Sequence, residues 1–213
     1  WKACTLGQAM VRQFSEMPME ELFAECSSLI KKAIKIDPND FECHRLLSAI
    51  YSVTGEQGLS LEHGKKAYDL VPNDPRILQQ YGEALLKTGD TKLGCDLTIR
   101  ALEYDPVAQG QTNSDKRKSD VVFASFMDGR GELCLKMAEE VHNLDNKTTL
   151  FAASAAYQMK KNIDELEWLK SRLKKSTKND LESVIDNLKI KDLVITNTLR
   201  ETLSLGQSNE LFL

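Results

Sequence analysis

The sequence contains few of the residues that usually carry metal binding, redox chemistry or nucleophilic catalysis. Its 213 residues include 3 histidines and 5 cysteines. None of them falls in a His-Glu-x-x-His, His-x-His or Cys-x-x-Cys spacing that would place two ligands on one ion. The cysteines are odd in number and widely scattered, which indicates reduced and mostly buried thiols in a cytoplasmic protein. We therefore expect neither a metal ion nor another cofactor.

Long apolar runs and an excess of positive charge are also absent. No stretch approaches the roughly 18 consecutive apolar residues of a membrane-spanning helix, and the first residues lack the pattern of a secretory signal. The net charge is −4, with 28 basic and 32 acidic residues interspersed, so no positive field attracts nucleic acid. We expect a cytoplasmic domain that binds neither a membrane nor nucleic acid. Because the sequence begins at Trp1 rather than at a methionine, we also expect it to be a piece of a longer protein.

Catalytic and nucleotide-binding loops are missing as well. The sequence contains no Gly-x-Ser-x-Gly elbow, no Gly-x-x-x-x-Gly-Lys-Ser/Thr loop and no Gly-x-Gly-x-x-Gly turn after a strand. Carboxylate pairs such as Glu20-Glu21 and Glu139-Glu140 fall on amphipathic helical patterns, where a solvated face is the ordinary explanation. The sequence predicts a protein that is not an enzyme.

What the sequence does have is a repeat of 34 residues. Pro38, Pro72 and Pro106 are spaced 34 residues apart, a period found in helical repeat proteins. Gly55 and Gly89 each precede the next proline by 17 residues. An alanine also stands five residues before every proline, at Ala33, Ala67 and Ala101.

Local backbone chemistry explains why these residue types recur. Proline interrupts a helix, and the Asp40 or Asp74 side chain that follows can cap the next helix. Glycine tolerates the left-handed conformation that commonly ends a helix. The small alanines allow neighbouring helices to approach closely. Each period is therefore predicted to be a hairpin of two helices.

These residues resemble the signature of the tetratricopeptide-repeat family. The matching residues are Leu47, Tyr51, Ala67 and Pro72 in one period and Tyr81-Gly82, Ala101 and Pro106 in the next. The signature Trp is absent, and Gly64 and Thr98 stand where a Phe is usual. The resemblance implies an all-α fold, a right-handed superhelical stack of about five helical hairpins, with a partner segment bound along its concave wall.

The repeat and the hydrophobic pattern divide the chain into a solenoid over residues 1–178 and C-terminal capping helices over residues 179–213. The predicted hairpins cover approximately residues 2–38, 39–72, 73–106, 115–146 and 148–178. In the first hairpin we expect helices over residues 6–14 and 19–36. Residues 108–119 read as a polar loop, and later helices are expected over 133–144, 164–174, 180–188 and 192–203. Asn162 is expected to replace glycine at the fifth turn.

Helical spacing predicts which side chains face the concave wall. The expected partner-binding residues are Glu42, Arg45, Ala49 and Ser52 in one hairpin, Arg76, Gln79, Glu83 and Leu86 in the next, and Phe123 and Phe126, beside Lys116 and Ser119, in the fourth. The two phenylalanines have two interpretations, an aromatic anchor pocket or the core. The resemblance does not extend to the chaperone-binding carboxylate clamp, because Glu83 would repel a terminal carboxylate. The basic run from Lys116 to Lys118 reads as solvated loop charge, with phosphate or acidic-peptide contact as the alternative.

Two functional hypotheses follow from these patterns. The segments around residues 31–40, 67–74 and 81–89 resemble bacterial repeat regions that follow winged-helix transcription regulators or class III nucleotide cyclases. That resemblance implies a regulatory module of a bacterial signalling or transcription-regulatory protein, which binds a protein or peptide partner. The alternative is a free-standing scaffold, or an adaptor for secretion or assembly. Homo-oligomer formation and the identity of the partner stay open.

Overall fold

The computed structural model describes residues 18–107, 115–188, 190 and 192–208, and within these ranges the chain is helical without a β-strand. Eleven α-helices are present in this part of the chain. In order they are α1 (Met19–Ile36), α2 (Phe41–Thr54), α3 (Gln57–Leu70), α4 (Pro75–Thr88), α5 (Thr91–Tyr104), α6 (Asp115–Met127), α7 (Gly131–Glu139), α8 (Asn146–Gln158), α9 (Glu167–Leu173), α10 (Lys178–Asn187) and α11 (Leu193–Ser208). A single 3₁₀ turn, Ile163–Glu165, precedes α9.

Each of the helices α1 to α7 packs mainly against its neighbours in sequence, as expected for stacked hairpins, whereas α10 and α11 pack on α8 and on each other. A second set of contacts links alternate helices, because α2 touches α4, α4 touches α6, and α6 touches α8. The first helices of successive hairpins therefore lie side by side and form one continuous wall. This arrangement confirms the predicted all-helical solenoid.

The turns of the second and third hairpins follow the predicted backbone chemistry. Asp40 accepts a hydrogen bond from the Cys43 N–H at 2.9 Å and caps α2, and Asp74 accepts one from the Arg76 N–H at 2.8 Å and caps α4. Gly55 and Gly89 end α2 and α4 with φ of 84° and 104°, a region that side chains disfavour. Helix bounds in this part of the chain are thus set by local interactions.

The backbones of α4 and α5 approach each other closely at Gly82 and Gly94. A Cβ added at Gly94 would lie 2.8 Å from the Gly82 carbonyl oxygen, and one added at Gly82 would lie 2.9 Å from the Gly94 carbonyl oxygen. Ala67 and Ala101 are fully buried, whereas Ala33 is half-buried. Small residues therefore allow the expected close contact of the helices within the hairpin.

Apolar side chains form three clusters of different size. One cluster of five buried residues joins α1 and α2, and another of five joins α4 and α5. A far larger cluster extends from Leu86 on α4 to Leu203 on α11. Phe151 on α8 lies inside it, with its ring centroid 5.2 Å from that of Phe123 and 5.1 Å from that of Phe126. The second half of the solenoid therefore shares one core.

Several sequence predictions for this second half were wrong in detail. Residues 115–119 are the first part of α6 rather than a loop, because the Asp115 carboxylate accepts the N–H groups of His142 and Asn143, each at 3.0 Å. The same contacts hold the turn after α7, which ends at Glu139 and not at residue 144. A tertiary contact thus decides both helix ends.

The fifth turn also differs from the prediction. Lys160, with φ of 54°, takes the left-handed conformation expected of Asn162. Asn162 instead caps the 3₁₀ turn by accepting a hydrogen bond from the Asp164 N–H at 3.1 Å. The predicted helix over residues 6–14 lies outside the described residues, and the division into five repeats and a cap stays a prediction.

Candidate partner-binding groove

Residues predicted to face the groove come together across α2 and α4. The Arg45 guanidinium donates to both oxygens of Glu42, at 2.6 and 3.0 Å, and Arg76 reaches the same carboxylate at 3.5 Å. Arg76 also donates to Asp74 at 2.6 Å. Burial disfavours the charged form of Glu42, but the hydrogen bond and charge of Arg45 outweigh it and lower the pKa of this carboxyl. The two helices therefore present a fixed group of two cations and two anions.

A second polar group lies farther along the same two helices. Ser52 on α2 donates a hydrogen bond to Glu83 on α4 at 3.1 Å, and Lys87 donates to both of them, at 2.7 Å each. Burial opposes ionisation of Glu83, yet the charges of Lys87 and Lys147 lower its pKa to about 2. Glu83 is therefore a permanent negative charge on the groove wall.

A small cleft continues the wall onto α6 and α8. It encloses about 10 Å³, roughly the room that one water molecule needs. The lining residues are Gln79, Glu83 and Leu86 of α4, Thr98 of α5, Asp120 and Phe123 of α6, and Lys147 of α8. The Lys147 ammonium lies 4.6 Å from the centroid of the Phe123 ring, a cation–π contact. Four predicted groove residues thus meet two charged residues that the sequence reading missed.

Asp120 is the unusual group of this cleft. Its Oδ1 accepts from Lys116, and its Oδ2 is buried without a hydrogen-bond partner among the described residues. Burial raises the pKa of Asp120 although Lys116 and Lys147 favour its charged form. Neighbouring carboxyls of the same cleft, Glu83 and Asp120, are thus shifted in opposite directions.

The predicted residues differ in how much of each side chain reaches the surface. The half-buried ones are Glu42, Arg45, Ala49, Arg76, Gln79 and Glu83, and the buried ones are Ser52, Leu86, Phe123 and Phe126. Phe123 and Phe126 pack on Phe151, so the structure favours core packing over an exposed anchor pocket. Only Phe123 also borders the cleft. The groove surface is therefore polar and charged, with little aromatic area.

The basic run lies on helix α6 and not in a loop, and its three side chains have different surroundings. Arg117 has an exposed fraction of only 2% and donates to Asp105 at 3.1 Å, to Gln79, and to the Pro75 carbonyl oxygen at 3.4 Å. Lys116 pairs with Asp120, and Lys118 pairs with Glu140 at 3.0 Å. Arg117 and Val121 are four residues apart and therefore lie on the same face of a helix, so this spacing could have predicted that Arg117 is buried.

Two histidines of the second hairpin contact each other. The Nε2 of His44 is 3.0 Å from the Pro38 carbonyl oxygen, which can only accept. When the His44 ring carries one proton on Nε2, its Nδ1 accepts a hydrogen bond from His63 Nδ1 at 2.8 Å. His63 also stacks on Tyr51. Burial, followed by the neighbouring His44, lowers the pKa of His63.

The part of the chain that the structure describes contains histidine, cysteine and carboxylate side chains that metal binding or thiol chemistry would use. There, no three His, Cys, Asp or Glu side chains are arranged to hold a metal ion. Cys26, Cys43, Cys95 and Cys134 are buried and form no disulfide with one another, and burial raises the pKa of Cys134 to about 12. Within the same ranges, no helix combines the length and apolarity needed to cross a membrane.

Comparison with known proteins gives one short sequence match. No protein-family model matches the chain. Protein O-mannosyl-transferase TMTC1 of Mus musculus is 36% identical over 56 residues. That match covers 26% of this chain and only 6% of the mouse protein, so it concerns a small segment of that relative.

Solved structures resemble the chain over nearly its whole length. PilW, a widely conserved type IV pilus biogenesis factor, aligns over 97% of this chain and 93% of its own with a TM-score of 0.65 and 13% identity. MamA aligns over 89% of this chain and 93% of its own, with a TM-score of 0.53 and 14% identity. The pilF protein of Pseudomonas aeruginosa aligns over 99% of this chain and 89% of its own, with a TM-score of 0.55 and 13% identity. The chain therefore has the all-helical solenoid fold of these tetratricopeptide-repeat proteins.

Proposed function

We propose that the chain is a non-enzymatic protein-binding module that holds a peptide or a helix of another protein along the wall of α2, α4 and α6. One observation carries this proposal. Half-buried charged side chains of successive hairpins lie side by side on this wall, and Glu42, Arg45 and Arg76 fix one another's positions. Charges that are already oriented lose little side-chain entropy when a partner binds.

The charges of the wall define the chemistry of the partner. Glu83 is ionised but paired with Lys87, and Lys147 and Lys116 also favour its charge, so this part of the wall is not negative overall. Arg45 and Arg76 favour an acidic side chain at the α2 end. We therefore propose a segment with acidic residues as the guest.

The cellular setting is a further part of the proposal. A cytoplasmic regulatory module of a bacterial signalling or transcription-regulatory protein is the first candidate, on the resemblance of the repeats around Pro38 and Pro72. A DNA-binding or cyclase domain encoded upstream of Trp1 would support it, and a start codon immediately before Trp1 would contradict it.

A free-standing scaffold or assembly adaptor is the second candidate. The likeness to PilW, which extends over 97% of this chain and 93% of that one, favours it because a solenoid of this length exists there as a pilus biogenesis factor. Recovery of a stoichiometric partner by the isolated chain would support the adaptor. Substrate turnover that one polar substitution abolishes would instead indicate an enzyme.

Charge reversal on the wall tests the binding site. In R45E/R76E, one cation on each of two first helices becomes an anion. The matched control K65E/K92E makes the same change in charge on exposed residues of the second helices α3 and α5. With a partner purified by affinity to the wild-type chain, we expect R45E/R76E to raise the dissociation constant about ten-fold or more, and the control to leave it unchanged. Equal binding by R45E/R76E would place the partner elsewhere.

A further inference from the structure

The exposed face of the last described helix, α11, differs in polarity from the exposed face of α10 beside it. Over residues 193–206 of α11 seven side chains are exposed, and on a helix of 3.6 residues per turn they share one side. They are Leu193, Val194, Asn197, Arg200, Glu201, Ser204 and Leu205. The opposite side, with Leu199 and Leu203, is buried where α11 packs on α8 and α10.

Three of these exposed residues are large and apolar. Leu193 and Val194 have exposed fractions of 74% and 75%, and Leu205 has 47%. The exposed side chains of α10 are all polar, namely Asn179, Asp180, Glu182, Ser183, Asp186 and Asn187. Large apolar side chains are thus exposed on α11 but not on α10, the helix beside it.

The types of residue along this face are arranged almost symmetrically about its centre. Apolar residues occupy both ends, Asn197 and Ser204 follow inward, and Arg200 and Glu201 form the centre. A two-fold axis near the centre would place Arg200 of one copy against Glu201 of the other. The same axis places Asn197 opposite Ser204 and brings Val194 within two residue positions, about 3 Å along the helix, of Leu205. Self-complementarity of this kind is what a two-fold symmetric interface requires.

We propose that the exposed face of α11 is the contact surface between two copies of this chain, packed antiparallel about a two-fold axis. The helix has 16 residues and is therefore about 24 Å long, which gives a contact at the small end of specific interfaces. The dimer is consequently reversible and depends on concentration. It leaves the wall of α2, α4 and α6 free, so the proposal is independent of the groove.

Arg200 is available for this contact although it has a neighbour in its own chain. Its guanidinium lies 3.7 Å from Asp186, and both side chains are more than 60% exposed, so solvent screens the pair. A second copy would offer Glu201 in a desolvated interface, where an ion pair orients the two helices.

Charge exchange provides the test, with mass measured by sedimentation over a concentration series. R200E alone and E201R alone each place like charges together, and we expect the dissociation constant to rise about ten-fold or more. The double variant R200E/E201R restores opposite charges across the axis and should dimerise like the wild type. An equimolar mixture of the two single variants should form a heterodimer.

The apolar ends are tested by L193D/V194D, which should be monomeric. The matched control V53D changes an exposed valine of α2, whose exposed fraction is 59%, and should leave dimerisation unchanged. Helical circular dichroism checks that each variant is folded. A wild-type chain that stays monomeric at every concentration would overturn the proposal and assign the face to another occupant, such as residues 209–213 or a different protein. Dimers insensitive to all charge variants would also overturn it.

Discussion

The helices α1 to α5 differ from the helices α6 to α11 in the size of the core that they share. In the first region, α2 and α4 begin at aspartate caps and end at glycines with positive φ, and two clusters of five buried residues join α1 to α2 and α4 to α5. In the second region, 22 buried residues, together with Leu86 and Cys95 of the first, form one cluster, and α7 and α9 have only 9 and 7 residues. Local caps occur in both regions, since Gly129 also has a positive φ and Asp145 caps α8, so packing between distant residues is what distinguishes the second region.

The largest expected effect comes from the same truncation made in each region. Phe151 is fully buried in the large cluster, whereas Phe23 is only partly buried against the small one. We expect F151A to lower the free energy of unfolding by about 3–5 kcal/mol and F23A by about half as much. Urea unfolding followed by circular dichroism measures both. Equal losses would contradict the difference between the two cores.

An intermediate effect is expected from alanine at two glycines that are both crowded. A Cβ at Gly94 meets the backbone of Gly82, and one at Gly131 meets the flexible side chain of Met159. Because backbone cannot yield without moving α4 from α5, we expect G94A to cost about 2 kcal/mol and G131A less than about 1 kcal/mol.

Alanine at Gly58 is the matched control, because a Cβ there has open space. We expect G58A to stabilise α3 by about 0.5 kcal/mol through its higher helix propensity. Thermal unfolding ranks the three variants. A larger loss for G131A than for G94A would show that the second region is the less adaptable one.

The smallest effect is expected from pH and is confined to the first region. The pKa of His63 is lowered below its ordinary value of 6.5, and Lys31 and Lys66 nearby also oppose its charged form. Below pH 6.5 the unfolded chain therefore binds a proton that the folded chain resists, so the free energy of unfolding falls. Above pH 6.5 both states are neutral at this site and the dependence disappears.

The variant H63N separates the effect of the hydrogen bond to His44 from the effect of protonating His63. Its amide can still donate to His44 Nδ1, but it carries no proton equilibrium. We expect a flatter dependence of stability between pH values above and below 6.5, with amide exchange in α2 and α3 reporting the change. An unchanged slope in H63N would assign the acid sensitivity to another group.

The sequence was sufficient for much of the first region because proline, glycine and aspartate act on their own neighbours. Spacing from Pro38 to Pro72 predicted the turns at Gly55 and Gly89 that the structure contains. The start of α6 was missed because it depends on Asp115 reaching the backbone after α7. A contact across 27 residues leaves no local pattern to read.

In the groove, too, residues close in sequence were predicted and contacts between distant residues were missed. Helical spacing was enough to place Glu42, Arg45 and Arg76 near one another. It missed Asp120 and Lys147, which reach the cleft from later hairpins. Their positions follow from how the hairpins stack, and one hairpin's residue pattern carries no information about that stacking.

Arg117 has a consequence for the curvature of the solenoid. Its guanidinium joins the start of α4 to α6 and to Asp105 at the end of the third hairpin. The spacing between α4 and α6, and with it the local bend of the wall, therefore depends on one side chain that lies behind the groove surface.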